Sequence, residues 1–239
     1  MDALILAAGR GTRLGTIGET TPKALLDIAG RTILDRVAEH LVAAGADRLI
    51  INISHHADQI EAFLAGHDLG APVLLSRERP HPLETGGGLL HARALFRRDR
   101  SFFVHNVDVW TDADLTAMLR AHEHGDAIAT VAVHQRTSTR QLLFDSNGLY
   151  GRLDVNRDVT IQARPTTGAS MARAFAGIHV IAPTLLDRIT ERGVFSIMDS
   201  YLRLAGERER IAAYPIDGAT WLEIGTPERL DAARKALRE

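Results

Sequence analysis

Apolar residues in this chain fall in short continuous runs separated by stretches with helical spacing, an alternation that predicts strands and helices in turn. Residues 4–8 form the first run and are expected to be a buried strand. Ile33, Leu34, Val37, Ala38, Leu41 and Val42 then recur at helical spacing, with Gly45 where such a helix would stop. A strand over 48–54, a short helix over 57–65 ending near Gly66 and a strand over 73–76 follow. The rhythm continues with a helix over 89–96, a strand over 102–106, a helix over 114–123 and a strand over 127–133.

Beyond residue 140 the pattern changes. Runs at 142–144 and 149–153 flank Asp145-Ser146-Asn147-Gly148, an Asn-Gly hairpin signal that marks a small antiparallel insertion. Residues 174–181 return to the sheet, 183–191 and 197–204 read as helices, 211–214 and 220–222 as short strands, and 227–237 as a closing helix capped by Thr226. No internal repeat or linker interrupts the chain, so one α/β domain over 1–239 is expected, a mainly parallel sheet with helices on both faces. Ligands gather beyond the carboxyl ends of strands in such sheets.

Composition narrows the possibilities. The 239 residues are 45% hydrophobic, enough for a sizeable core, and the net charge of −2 offers no general attraction to nucleic acid or an anionic membrane. Cysteine is absent, which excludes a disulfide framework and a thiolate zinc site. Met1-Asp2 leads straight into a strand with no secretory pattern, and no apolar run approaches the roughly 20 residues of a membrane span. A cytoplasmic protein is expected, with homo-oligomerisation left open.

The first strand runs into a glycine-rich turn that holds Arg13, and Lys23 follows ten positions later. Gly9 and Gly11 let backbone approach a ligand, and bare N–H groups in such a turn can meet anionic oxygens. Arg13 offers a planar fork of donors and Lys23, set by Pro22, a mobile point charge. The dinucleotide fingerprint fails at Leu14, and the P-loop fails for want of Gly-Lys-Ser/Thr. A polyphosphate site remains, against the plainer reading of a tight turn with two solvated cations.

These residues, together with the segments at 83–88, 106–112 and 221–227, give the chain a resemblance to the nucleoside-triphosphate sugar-1-phosphate nucleotidyltransferases. Their pattern L-A-A/G-G-x-G-T-R-L, then P-K, is present. The short uridylyltransferases acting on N-acetylmuramate 1-phosphate look most similar, through Leu83-Glu84-Thr85-Gly86-Gly87-Gly88 and the run Asp108-Val109-Trp110-Thr111-Asp112. The resemblance implies a Rossmann-like, glycosyltransferase-A-like fold. It also implies Mg2+-dependent transfer of a nucleotidyl group, with UTP favoured, to a sugar 1-phosphate.

By the same resemblance, Arg13, Lys23 and Asp108 are the catalytic residues, and Leu6, Ala7, Ala8, Gly9, Gly11 and Thr12 line the nucleotide with Glu84, Thr85 and Gly86. Thr85 would read a pyrimidine edge or simply cap a helix whose positive end faces the ligand. Asp108 would hold the metal, with Asp112 as helix cap. The second metal carboxylate of the family is aspartate in W-x-D-x-G-T; here it is Glu223, whose alternative is a bond to nearby backbone. Asn106, Gly177 and Arg164 would contact the sugar phosphate, Arg164 in place of a family lysine. Val107, where relatives carry glycine, would narrow the sugar pocket.

Eleven histidines form no H-E-x-x-H motif, and His122 and His124 are expected to be solvated. His55-His56 reads as loop polarity or a cleft edge. The mechanism implied is in-line attack of a sugar-phosphate oxygen on the α-phosphorus, with no protein nucleophile. Two rivals remain at this stage: a cytidylyltransferase acting on phosphocholine or a similar ester, and a catalytically silent nucleotide-binding or scaffold protein.

Overall fold

The computed structural model describes residues 1–238. In chain order its strands and helices are β1 (Asp2–Leu6), α1 (Thr16–Thr20), β2 (Asp27–Ile28), β3 (Arg31–Thr32), α2 (Ile33–Ala43), β4 (Arg48–Ile53), α3 (Ala57–Ala65), β5 (Val73–Arg77) and α4 (Glu84–His91). There follow β6 (Phe102–Asn106), β7 (Val109–Thr111), α5 (Leu115–Glu123), β8 (Ala129–His134), β9 (Arg140–Asp145), β10 (Gly148–Asp154), β11 (Val159–Gln162) and β12 (Met171–Ile181). The chain closes with α6 (Leu185–Arg188), α7 (Ile197–Gly206), β13 (Ile211–Pro215), β14 (Trp221–Glu223) and α8 (Pro227–Ala236).

One sheet organises these elements in the order β11-β10-β9-β12-β6-β1-β4-β5, with β8 also on β12 and β13 on β8. Pairing of β1 with β4 and β6, of β4 with β5 and of β8 with β13 is parallel, whereas β12 is antiparallel to both β6 and β8. Strands β13, β8, β6, β1, β4 and β5 therefore run one way, and β12 runs against them between β8 and β6. Their carboxyl ends gather on one edge. This is the mainly parallel, Rossmann-like arrangement expected from the sequence. The expected antiparallel insertion is the hairpin β9–β10 with β11, and its strands extend the same sheet through β12.

Alternation along the strands divides the core between the two faces. Ala3 and Ile5 pack with Leu49, Ile51 and Ile53 under α2, α3 and α8, while Leu4 and Ile50 pack on the other face with Leu89, Phe102, Tyr201 and Leu204. Strands buried on both faces read as unbroken apolar runs, which is why β1 and β4 were legible. Helix α2 begins with a reciprocal Thr32–Asp35 capping box, and α8 with the expected Thr226 cap.

Several local expectations change. The first strand stops at Leu6, because the Ala7 and Ala8 N–H groups turn onto the Asn52 side chain. Helix α4 starts at Glu84 rather than 89, with Gly86, Gly87 and Gly88 inside it, and a 3-10 turn over Ala92–Leu95 completes the segment. The helix expected over 183–191 is a single turn, α6. Asp114 caps α5 through a 2.8 Å bond from Ala117 N–H, leaving Asp112 to accept the Thr220 N–H. His122 is buried, its Nδ1 2.9 Å from the Thr130 hydroxyl and its Nε2 3.2 Å from that of Ser101. Burial pushes its pKa down to about 4.

Candidate active site

The carboxyl ends of β1, β6 and β8 open onto two adjoining cavities. The first, about 250 Å³, is walled by Leu6, Ala7, Ala8, Gly9, Val107, Pro82, Glu84 and Thr85, with Asn52 and Glu78 at its base. The second, about 410 Å³, is polar and carries Arg13, Arg136, Arg229, Glu223 and the hydroxyls of Thr137, Ser138 and Thr139. Asn106 and Asp108, at the end of β6, line both.

The seam between the cavities is an ion pair. Lys23, in the 3-10 turn after Pro22, places Nζ 2.8 Å from Asp108 Oδ2, with both side chains largely buried. The pairing of β14 with β7 brings a second carboxylate to this seam, since Ile224 N–H donates to the Asp108 carbonyl at 3.0 Å and Glu223 stands beside it. Arg13 Nη2 lies 3.3 Å from Glu223 Oε1, and Arg229 contacts the other oxygen of the same carboxylate. Gly225 provides the room: a Cβ there would sit 2.0 Å from Glu223 Oε1 and 2.8 Å from Arg13 Nη2. Residues 13, 23, 108 and 223 thus converge from separated parts of the sequence.

The loop after β1 is held from behind. Asn52 Oδ1 accepts from Ala7 N–H at 2.6 Å and from Ala8 N–H at 3.3 Å, and Asn52 Nδ2 donates to Glu78 Oε1 at 2.6 Å. Glu78 Oε2 accepts from Leu83 N–H at 2.7 Å, tying the start of α4 to the same network. Burial raises the Glu78 pKa, against the opposing pull of these bonds. Neither Asn52 nor Glu78 stood out in the sequence, and the signal they leave is a polar residue inside or just beyond an apolar strand.

Four placements differ from expectation, those of Gly86, Arg164, Val107 and Gly11. The glycines of α4 serve packing: a Cβ at Gly86 would strike the Phe195 ring at 2.3 Å, at Gly87 the Gly193 carbonyl at 2.4 Å, and at Gly88 Glu78 Oε1 at 2.6 Å. The Gly86 and Gly87 N–H groups donate to the Phe195 carbonyl, so the helix's first donors turn into protein and Gly86 is buried away from both cavities. Thr85 lines the first cavity while its oxygen accepts from Ile197 N–H at 3.0 Å. Arg164 lines neither cavity: its fork grips Asp145 at 2.8 and 2.6 Å, within a hairpin whose aspartate side chain is fully buried and whose pKa this pair depresses. Val107 borders the first cavity, its N–H on the Leu6 carbonyl, and does not line the second. Gly11 adopts φ 65 ahead of the 3-10 turn Thr12–Leu14, shaping the loop without lining either cavity.

Gly177 does line the second cavity, at a bulge in β12 where pairing with β8 shifts register between Phe175 and His179. Its φ of 87 and the 2.9 Å approach of Val109 Cγ2 to a would-be Cβ both require glycine. The bulge frees carbonyls that side chains take up: Trp221 Nε1 donates to Ala176 at 2.9 Å and Arg136 Nη2 to Phe175 at 3.1 Å. The Arg136 guanidinium carbon lies 4.1 Å above the Trp221 ring centroid. Sequence reading overlooked Arg136 because its neighbours are brought to it by pairing across the sheet.

A family model described as the MobA-like NTP transferase domain matches residues 3–208, which include the loop after β1, Lys23 and Asp108. The chain belongs to this family. Among proteins similar to this MobA-like chain, the N-acetylmuramate alpha-1-phosphate uridylyltransferase of Caulobacter vibrioides is 30% identical over 99% of this chain and 97% of its own. The enzyme of the same name from Neisseria meningitidis serogroup B is 32% identical over 98% and 97%. The family fold is shared with a solved structure of a putative glucose-1-phosphate thymidylyltransferase from Bacillus anthracis, at a TM-score of 0.81 and 17% identity, covering 100% of this chain and 96% of that one. Among the described residues of this MobA-like chain, no helix is long and apolar enough to cross a membrane.

Proposed function

We propose that this chain transfers a nucleotidyl group, from UTP by preference, to a sugar 1-phosphate, releasing pyrophosphate. The observation that carries the reading is the seam: a mostly apolar cavity and a cationic one meet at Asp108, the ion-pair partner of Lys23. A base in the first and a phosphorylated acceptor in the second would bring α-phosphorus and attacking oxygen together there. UTP follows from the uridylyltransferase relatives. Residues 1–239 act as one nucleotidyltransferase domain in this reading, since Glu223 and Arg229 lie beyond the family match yet line the acceptor cavity.

The acceptor phosphate is already ionised near neutral pH, so the chain's task is alignment and stabilisation of crowded oxyanions. Arg13 would bind the triphosphate and the leaving pyrophosphate, and Lys23 the oxygens at the reacting centre. Asn52, braced by Glu78, engages the Ala7 and Ala8 N–H groups and so fixes the loop after β1 that would wall the nucleotide. Asp108 and Glu223 are hard oxygen donors on one cavity, and among the described residues no third acidic or histidine side chain joins them. That set suits Mg2+, which takes one or two carboxylates and completes its shell with water and substrate phosphates. When bound it would neutralise phosphate charge.

Pyrophosphate release measured with UTP, dTTP, GTP and CTP against several sugar 1-phosphates and phosphocholine tests the proposal. Turnover with UTP and a sugar 1-phosphate is expected. Turnover confined to CTP and phosphocholine, or nucleotide binding with no turnover across the panel, overturns it.

A further inference from the structure

We infer that Arg136 reads a carboxylate on the acceptor sugar, so that the preferred substrates are sugar 1-phosphates with an acidic substituent; this rests on the nucleotidyltransfer reading above.

The cavity holds three guanidinium groups, and they are not equivalent. Arg13 and Arg229 both contact Glu223. Arg136 has no carboxylate within 4.0 Å among the described residues, and its Nε is buried without a partner. Half-burying an unpaired cation and one of its donors costs stability unless something returns the interaction. Stacking on Trp221 and the bond to the Phe175 carbonyl return part of it and, more to the point, fix the fork's orientation. A preoriented guanidinium suits a planar carboxylate, which it can engage through two parallel bonds. Thr137 and Thr139 line the same cavity with hydroxyls that could donate, while the Ser138 hydroxyl already donates to the Arg140 carbonyl at 2.9 Å.

Position separates this cation from the reacting phosphate. Arg136 follows β8, and sheet order places β12 between β8 and the β6 end that carries Asp108. Two ladder steps of roughly 4.8 Å put the two backbones about 10 Å apart. The acceptor phosphate belongs at the Asp108–Lys23 seam, so Arg136 addresses the sugar at the far side of its ring.

The test compares acceptors in matched pairs that share the phosphate and differ in the acid: N-acetylmuramate against N-acetylglucosamine 1-phosphate, and glucuronate against glucose 1-phosphate. The ratio of kcat/KM within each pair is measured for wild type, R136M and R136K. Wild type is expected to favour the acidic member of at least one pair by about 10- to 100-fold, the worth of charge-assisted bonds. In R136M that ratio falls toward one, and R136K, with a point charge in place of the fork, lies between; R136K also serves if R136M fails to fold. Equal losses on both members, leaving the ratio unchanged, would assign Arg136 to the shared phosphate or to bracing the bulge and overturn the inference. Wild-type turnover confined to neutral sugars overturns it alone. Absence of turnover with every sugar phosphate and every nucleotide overturns the nucleotidyltransfer reading as well.

Discussion

Replacing Gly88 by alanine sets two effects of opposite sign against each other. Gly88 lies inside α4, and in an exposed helix interior the change would stabilise by about 1 kcal/mol through helix propensity. Here the added methyl would sit 2.6 Å from Glu78 Oε1 and 2.7 Å from Asn52 Nδ2, the two atoms of a single 2.6 Å hydrogen bond. Relief requires the carboxylate, the amide or the helix to move. Overpacking of this kind costs about 1–3 kcal/mol, and a buried hydrogen-bonding group left unsatisfied costs a similar amount. The clash wins, and a net loss of about 2–4 kcal/mol is expected, a fall in Tm of roughly 5–15 °C for a chain of this size. Because Asn52 also holds the Ala7 and Ala8 N–H groups, the KM for nucleotide should rise in the same variant. Urea unfolding gives the first quantity and initial rates at saturating acceptor the second. A midpoint equal to or above wild type would refute the assignment of Gly88 to close packing over this network.

Lys23→Ala should lower kcat/KM on the order of 10²-fold or more while circular dichroism stays native, by analogy with loss of an oxyanion donor; near-wild-type turnover would remove Lys23 from the chemistry. Arg164→Ala should destabilise by about 3 kcal/mol or more, since it strands the fully buried Asp145 side chain, and should leave the acceptor KM unchanged. A stable variant with a raised acceptor KM would return Arg164 to the sugar site. His122 stays neutral in the fold down to about pH 4 but takes a proton near pH 6.5 in the unfolded chain, so its contribution is complete above pH 6.5 and is lost as pH falls toward 4. The loss is at most about 1.4 kcal/mol per pH unit, and unfolding free energy between pH 7 and 5 should decline less steeply in His122→Gln; parallel curves would contradict the buried assignment.

How far the sequence could be read depended on the range of the interactions. The loop after β1 and Asp108 were legible because each follows an apolar run that ends at the same edge of a parallel sheet, and Lys23 because it follows Pro22 in the Pro-Lys pair. Glu223 was found by motif, but its meeting with Arg13 and Arg229 depends on the β14–β7 pairing that carries it to the seam. Gly86 was assigned to the nucleotide when it and its neighbours Gly87 and Gly88 serve contacts with residues 193–197 and with Asn52 and Glu78, which only tertiary packing reveals. Arg164 left the expected sugar site, and Arg136, which the sequence did not single out, lines it for the same reason. Arg164 is absorbed by an aspartate nineteen residues away, and Arg136 is held by a carbonyl that a bulge frees in a strand nearly forty residues downstream.

The bulge at Gly177 also partitions the molecule's adaptability. In the proposed reading, the groups at the triphosphate hang from β1, β6 and the turns beside them, whereas the ground for the acceptor is laid mainly by β8 and β12. In that reading, exchanging side chains at β8 and β12 while Glu223 on β14 stays in place would retune which sugar is accepted. A scaffold so arranged invites engineering of acceptor choice one strand end at a time, with the nucleotide machinery kept as a fixed module.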